Sequence, residues 1–176
     1  PVVDARLVEQ ACAELRPDQH GTWISEAVIA AYSDLHRCGV AHSVETWVDG
    51  ELVGGLYGLA IGRVFFGESM FVRRTDASKI AFAHLVAQLR RWQFELIDCQ
   101  QETGHLTSLG GAPISRVAFV DCLQRLLHSP NGAPASGGWA FDDDVVNAGE
   151  TNLAGNAEFD VSFTIYGVLD HPEKNV

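Results

Sequence analysis

The chain has 176 residues, 47% of them hydrophobic, and its formal net charge is −11 at pH 7. This length suits one domain with a substantial core, and the apolar content excludes a disordered chain. No stretch reaches the roughly 20 apolar residues of a membrane-spanning helix, and the acidic balance argues against tight, non-specific binding of nucleic acid.

Two helices are predicted before the first strand. The first spans residues 4–16 and is amphipathic, and the second spans residues 23–37 with Thr22 as its N-cap. Gly39 ends the second helix. That helix is expected to bury a stripe formed by Ile24, Val28, Ala31 and Leu35.

Three strands are then expected to form an antiparallel meander, over residues 44–48, 52–61 and 64–68. The dipeptide Asp49-Gly50 between the first two strands is the strongest short signal for a hairpin turn. Glycines in the second strand leave space that a ligand or another stretch of backbone can fill. They are Gly54, Gly55 and Gly58.

A strand–helix–strand step follows the meander. Asp76 is predicted to cap a helix over residues 77–92, whose buried stripe is Phe82, Leu85, Val86 and Leu89. A strand over residues 94–99 and a polar loop over residues 101–113 come next. Ser115 caps a last helix whose apolar stripe is Phe119, Val120, Leu123 and Leu127. The order predicts an α/β (α+β) chain in which helices cover a mixed sheet, and it resembles the acetyltransferase-like (GNAT-like) fold.

The composition divides the chain into a folded domain and an acidic remainder. The domain is predicted over residues 1–127, and residues 128–157 are predicted to be a linker and an acidic segment. Residues 158–170 alternate apolar and polar side chains, which indicates an extra strand at the sheet edge or against a partner chain. Residues 171–176 form the tail.

Polar side chains at the ends of two apolar strands are the candidates for chemistry. Glu68 ends the third strand, and Asp98 ends the strand after the long helix, with Gln100 close behind it. If the two strands are neighbours, the two acids share one cleft, where close carboxylates either share a proton or hold a cation. A pocket with these carboxylates, the Gln100 amide and apolar neighbours suits an amine nucleophile and an apolar acyl group. The residues alone leave open a purely structural hydrogen-bond network at the strand ends.

Other chemistries fit the sequence less well. A coenzyme A pyrophosphate needs a glycine-rich loop before a helix, whereas residues 73–79 contain no glycine and Asp76 would repel the phosphates. Ser69 lacks the second glycine of a nucleophile elbow, so a hydrogen-bonding role is expected for it. The four cysteines form no CxxC pair, which favours reduced cytosolic thiols, and the histidine spacing predicts no metal site.

Several short motifs occur in one order along residues 3–127. They are GTWI at 21–24, AHSVE at 41–45 followed by Trp47, ELVGGLYG at 51–58, FGESMF at 66–71, ASK at 77–79, LIDCQ at 96–100, TSLG at 107–110 and ISR at 114–116. Together these motifs resemble those of the leucyl/phenylalanyl-tRNA–protein transferase family.

The resemblance implies transfer of leucine or phenylalanine from aminoacyl-tRNA to a protein N-terminus that bears Arg or Lys, which marks that protein for degradation. It implies that Asp98 and Gln100 are catalytic, orienting and polarising the attacking α-amine, while Glu68 meets the cationic side chain or terminus. The other implied substrate-binding residues are Trp23, Phe65, Phe66, Ser69, Met70 and Ile97. The implied partners are Leu-tRNA or Phe-tRNA and the acceptor protein, the implied compartment is the cytoplasm, and no cofactor is implied.

Two parts of the family pattern have no counterpart here. Family members carry an N-terminal domain that completes the amino-acid pocket and offers basic residues to the tRNA, and this sequence is expected to lack it. After the last helix, only Trp139-Ala140-Phe141 resembles the family before the acidic tail begins. The alternatives are therefore a small-molecule or peptide amine as acceptor, an acyl-coenzyme A transferase, and a non-catalytic binder of basic N-termini.

Overall fold

The computed structural model describes residues 8, 10–12, 24–133, 139–142 and 165–167. Val8 and residues 10–12 are helical, within the first predicted helix. The remaining elements are α1 (Glu26–Arg37), β1 (Ala41–Val48), β2 (Glu51–Ile61), β3 (Val64–Val72), α2 (Ala77–Arg91), β4 (Leu96–Gln100), α3 (Gly104–Ser108), α4 (Arg116–Leu126) and β5 (Ile165–Gly167).

The strands form one mixed sheet in the order β1-β2-β3-β4-β5. The first three strands pair antiparallel, and β4 pairs parallel to β3 after the α2 crossover. This topology confirms the predicted meander, the strand–helix–strand step and the mixed α/β class, and it is consistent with an acetyltransferase-like fold. Both β1 and β3 are longer than predicted, since β1 begins at Ala41 and β3 continues to Val72.

The hairpin between β1 and β2 turns at Asp49-Gly50, as predicted. Their φ angles are +52° and +80°, the pair of positive values that a tight two-residue hairpin requires. Glycine permits the second value without steric cost, and aspartate tolerates the first better than most side chains.

The space above the β2 glycines is filled by the protein itself. A Cβ atom on Gly54 would lie 2.5 Å from the Cβ of Ala77, so this glycine lets the start of α2 approach the sheet. At Gly58 a Cβ atom would lie 2.7 Å from the aromatic ring of Phe65. The sequence left open whether a ligand or other backbone fills these gaps, and in the structure neighbouring backbone and side chains fill them.

Helix α2 covers one face of the sheet. Its stripe of Phe82, Leu85, Val86 and Leu89 is buried, as predicted, and it packs in one cluster with Val44, Leu56, Phe65 and Ile97 of the strands. On the other face, Val8, residues 11–12 and α1 pack around Tyr57. Leu126 of α4 packs there against Val64 and Leu96. Successive strand residues alternate between these faces because the strand period is 2.

Two predictions about α1 were wrong. The helix begins at Glu26, and its N-cap is Ser25, whose side chain accepts a hydrogen bond from the Val28 N–H at 3.4 Å. Thr22, the predicted cap, lies outside the described residues. Of the predicted stripe, Ile24 is buried just before the helix and Val28 and Leu35 are half-buried, whereas Ala31 is exposed and the buried residue within the helix is Ile29.

The other helix starts gave mixed outcomes. Asp76 precedes α2 but has a φ of +64°, and its carboxylate accepts from the Lys79 ammonium at 2.7 Å instead of capping the backbone. Ser115 caps α4 as predicted, through the Ala118 N–H at 3.2 Å. On α4 the prediction was wrong for Val120, which is exposed, and it missed the buried Leu126.

The region after α4 is described only in part. Residues 139–142 pack against α2, and Ile165–Gly167 pair parallel with β4 at the sheet edge. The rest of the predicted 158–170 strand, and the 171–176 tail, lie outside the described residues, so the domain boundaries stay a prediction. Among the described residues, no helix has both the length and the apolar character that crossing a bilayer would require.

Candidate active site

A cleft opens where the parallel strands β3 and β4 part. Their pairing runs through Val64–Leu96 and Phe65–Ile97 and ends at Phe66–Asp98, although both strands continue further. The carboxyl ends of neighbouring parallel strands are a common place for ligand sites, because backbone polar groups and loops converge there. The separation of β3 from β4 therefore positions the site.

A β-bulge in β3 places Glu68. The pairing of β2 with β3 passes from Tyr57–Ser69 directly to Gly58–Gly67, which leaves Glu68 as the extra residue. A bulge of this kind redirects a side chain away from the regular alternation of the strand. Glu68 consequently lines the cleft beside Ser69, its neighbour in sequence.

The cleft has a volume of about 300 Å³, with an apolar floor and a polar rim. Its floor includes Leu56, Phe65, Met70, Phe82 and Ile97. Its polar residues include Glu68, Ser69, Gln100, Gln101, Thr103 and His105. An apolar pocket with a few convergent polar groups is the usual form of a small-ligand site.

The end of β4 is held in an uncommon backbone conformation. Gln100 has a φ of +62°, and the Gln101 N–H donates to the Cys99 carbonyl at 2.6 Å, which closes a three-residue turn around Gln100. An Asp98 carboxylate oxygen accepts from the Gln100 N–H at 2.8 Å. A non-glycine residue in this conformation persists only where its surroundings hold it, and such positions cluster at functional sites.

Burial governs the ionisation of the two residues before Gln100. It raises the pKa of the Asp98 carboxyl, the hydrogen bond from the Gln100 backbone opposes that rise, and the negative charge of Glu68 adds to it. Burial, with the Asp98 charge, raises the pKa of the Cys99 thiol to about 12. Cys99 is therefore a neutral thiol at physiological pH, which makes it a poor nucleophile although it lines the cleft.

Residues 4–124 match the sequence model described as "Leucyl/phenylalanyl-tRNA protein transferase". The chain belongs to this family. Relatives named leucyl/phenylalanyl-tRNA–protein transferase include one from Nitrosospira multiformis, 59% identical over 79% of this chain, and one from Nitrosomonas europaea, 59% identical over 77%. A relative of the same name from Ralstonia pickettii is 58% identical over 77% of this chain.

The chain spans little more than half the length of these relatives. The matched regions cover 59%, 56% and 54% of the Nitrosospira, Nitrosomonas and Ralstonia proteins. The family assignment thus applies to the domain that holds the cleft.

Most of the residues predicted for a leucyl/phenylalanyl-tRNA–protein transferase site meet in the cleft. Those that line it are Phe65, Glu68, Ser69, Met70, Ile97 and Gln100. Asp98 is not among the described lining residues, and it reaches the site through its hydrogen bond to Gln100. Phe66 packs on the opposite face with Val64 and Leu96, because it follows Phe65 directly along the strand. Trp23 lies outside the described residues.

Helix α3 forms a wall of the cleft that the sequence did not predict. Thr103 caps it by accepting from the Leu106 N–H at 3.1 Å, and Thr103, His105 and Leu106 line the cleft. Residues 101–113 were predicted to be a polar loop, and this helix of 5 residues within them was missed. Thr103 as an N-cap was the only local signal for it.

Proposed function

We propose that this domain transfers leucine or phenylalanine from aminoacyl-tRNA to the α-amine of a protein that begins with Arg or Lys. The cleft carries the proposal, because Glu68 and Gln100 face it above an apolar floor. The partners would be Leu-tRNA or Phe-tRNA and the acceptor protein. The transfer would mark that protein for degradation in the cytoplasm.

The apolar floor suits the side chain that is transferred. Phe65, Met70 and Ile97 offer aliphatic and aromatic surface and no charge. Each buried methylene is worth about 0.8 kcal/mol, so a leucine or phenylalanine side chain gains more there than alanine or valine does. A pocket of this kind discriminates by about 1–3 kcal/mol for each methylene-scale difference in size.

The proposed reaction depends mainly on how the amine and the ester are positioned. The amine lone pair attacks the ester carbonyl carbon, a C–N bond forms, and the bond from that carbon to the ribose oxygen of the tRNA breaks. The proton lost by the amine ends on the ribose oxygen. Because the ester is already activated, holding a neutral amine against it supplies much of the rate. The Gln100 amide can accept from the amine and donate to the carbonyl oxygen.

Asp98 and Glu68 have separate proposed roles. Asp98 holds the Gln100 backbone through the 2.8 Å hydrogen bond, so it acts as a positioning residue for the amide. Glu68 offers a carboxylate to the acceptor, where a cationic side chain or terminus pairs with it. Glu68 also adds negative charge beside Asp98, which favours a cation between β3 and β4.

An acyl-coenzyme A transferase has less support. The segment before α2 holds Asp76 in a left-handed conformation, with its carboxylate paired to Lys79. A pyrophosphate cradle needs backbone N–H groups that glycines expose at a helix N-terminus, and a carboxylate there opposes an anion.

The first test measures transfer of labelled leucine and phenylalanine from charged tRNA. The acceptors are proteins identical except for a first residue of Arg, Lys, Met or N-acetylated Arg. We expect label on the Arg and Lys acceptors only, and we expect Gln100→Ala to remove most of it. Acceptor binding without transfer would support a non-catalytic binder, and transfer to a free amine alone would support a small acceptor.

The role of Glu68 is tested separately. Glu68→Gln should raise KM for the Arg acceptor and leave KM for the charged tRNA nearly unchanged, because only the acceptor carries the cation. Glu51→Gln is the matched control, since it removes the same charge at an exposed position beside the β1–β2 turn. Equal KM values for Glu68→Gln and the control would refute this role.

A further inference from the structure

The buried Gln88 side-chain amide attaches residues 139–142 to α2. The Asp142 N–H donates to the Gln88 side-chain carbonyl at 2.9 Å, and the Gln88 amide nitrogen donates to the Asp142 carboxylate at 3.1 Å. Gln88 has 0% of its surface exposed, and Arg91 adds an ion pair to Asp142 at 3.4 Å. A fully buried amide with both ends bonded fixes its partner in one position.

The segment held in this way inserts Trp139 among four other rings. The indole stacks on His42 with ring centroids 3.7 Å apart and an interplanar angle of 12°. It meets Trp92 edge-on at 4.7 Å and Phe94 at 6.0 Å. The fourth ring is Phe65, at 6.2 Å. Aromatic pairs at these separations add specific geometry to their apolar burial.

Phe65 connects this cluster with the cleft. It lines the floor, yet only 1% of its surface is exposed. Its ring is confined on two sides: Trp139 lies against it, and the ring atoms lie close to the α-carbon of Gly58, where a Cβ would come within 2.7 Å of them. In close-packed interiors a ring with no free volume beside it does not retreat from a ligand.

We propose that Trp139 is a positioning residue that fixes Phe65 and thereby limits the size of the acyl side chain that the cleft accepts. This inference rests on the proposed function of the cleft. Neither Trp139 nor Gln88 is among the described residues that line the cleft, so both act through Phe65. The segment at residues 139–142 thus contributes to the selectivity of the cleft for the acyl side chain.

The test compares Trp139→Leu and Trp139→Phe with the wild-type chain of 176 residues. With Leu at this position Phe65 can move back, so kcat/KM for phenylalanine should rise relative to leucine by at least about fivefold, the scale of a one-methylene change in pocket size. Trp139→Phe should restore much of the wild-type ratio because it keeps a ring. Trp47→Leu, at an exposed tryptophan of β1, should leave the ratio unchanged.

A second readout separates this inference from the proposed function. Stable amide analogues of leucyl-adenosine and phenylalanyl-adenosine are titrated against each variant, and the ratio of their Kd values is compared. A wild-type chain that binds the analogues selectively but transfers nothing would refute the proposed function alone, and the Kd ratio would still decide the inference. A Kd ratio that is the same in Trp139→Leu as in the wild type, or a wild-type cleft that binds neither analogue, overturns the inference.

Folding losses are controlled by a milder variant. Gln88→Met keeps every ring and removes the two hydrogen bonds to Asp142, so it should shift the donor ratio in the same direction as Trp139→Leu by a smaller factor. Where Trp139→Leu fails to fold, Gln88→Met carries the test. A uniform decrease in kcat/KM for both donors, with the ratio unchanged, overturns the inference in favour of a purely structural role.

Discussion

The hydrogen bond from Asp98 to the Gln100 backbone gives the sharpest prediction about the site. Asp98→Ala removes the acceptor of the Gln100 N–H, while Asp98→Asn keeps an oxygen at the same position and removes only the charge. If Asp98 acts by holding Gln100, alanine should be much more damaging than asparagine. If the charge itself is needed, the two variants should be equally damaging.

The magnitude follows from the strained turn. A hydrogen bond to a charged group contributes about 1.5–3 kcal/mol, and a residue in the conformation of Gln100 stores about 1–3 kcal/mol of backbone strain. The two energies are of similar size, so Gln100 should leave its φ of +62° when the hydrogen-bond acceptor is removed. At 1.36 kcal/mol for each factor of ten, kcat/KM should fall about 10–100-fold in Asp98→Ala and less than about tenfold in Asp98→Asn.

In Asp98→Asn the stability of the fold should not decrease along with the activity. Burial raises the pKa of Asp98 above its usual value of 3.8, so the native state binds this proton more tightly than the unfolded chain does. The resulting loss of stability is absent below the unfolded pKa and grows as pH rises through the native pKa. At pH 7 Asp98→Asn should therefore unfold at the same or a higher temperature than the wild type.

The assay measures kcat/KM for transfer and the midpoint of thermal unfolding on the same preparations. Asp121, an exposed acid of α4, supplies matched Ala and Asn controls that should leave both quantities unchanged. The reasoning is refuted if Asp98→Asn loses as much activity as Asp98→Ala while both variants stay folded.

Three further predictions concern the close contact at Gly54, the thiols and the buried His42. Gly54→Ala should lower the free energy of unfolding in urea by about 1–3 kcal/mol, because its Cβ would overpack the start of α2. Gly104→Ala is the control, since a Cβ there has nothing within 4 Å, and it should cause no such loss. Equal losses in the two variants would contradict the close approach at Gly54. Iodoacetamide at neutral pH should label exposed Cys38 and leave Cys99 unlabelled by mass spectrometry, because Cys99 has a pKa of about 12. Burial lowers the pKa of His42 from 6.5 to about 4, so its contribution to stability is present above pH 6.5 and is lost as pH falls through 4. In chemical denaturation, His42→Phe should therefore lose less stability than the wild type over that pH range. An equal loss of stability in both proteins would refute the lowered pKa.

The regular parts of the fold could be predicted because their signals are local. The stripe on α2 repeats with the helical period, and Asp49-Gly50 adopts the two positive φ angles that a tight hairpin needs. The parallel pairing of β3 with β4 follows from one helical crossover between neighbouring strands. The stripe and the turn depend on residues that are close in sequence, and the pairing depends on a connection that contains a single helix.

The parts that could not be predicted depend on tertiary contacts. Ser25 and Thr22 are both good N-caps, and the sequence does not say which of them begins the helix. Asp76 has the side chain of a cap, but its left-handed backbone turns the carboxylate toward Lys79. The contact between Trp139 and Phe65 joins segments far apart in the chain, so no local pattern announces it.

The site itself lies where the regular patterns fail. The alternation of β3 would place Phe65 and Gly67 on one face, and the bulge then inserts Glu68 so that it too lines the cleft. Beyond Asp98, β4 leaves its regular course in the turn around Gln100. Both irregularities cost free energy and are held by their surroundings, which is expected where a backbone has to present polar groups to a substrate. The motifs identified Glu68, Asp98 and Gln100 as the residues of interest, whereas only the departure from strand geometry explains how two of them come to face the same cleft.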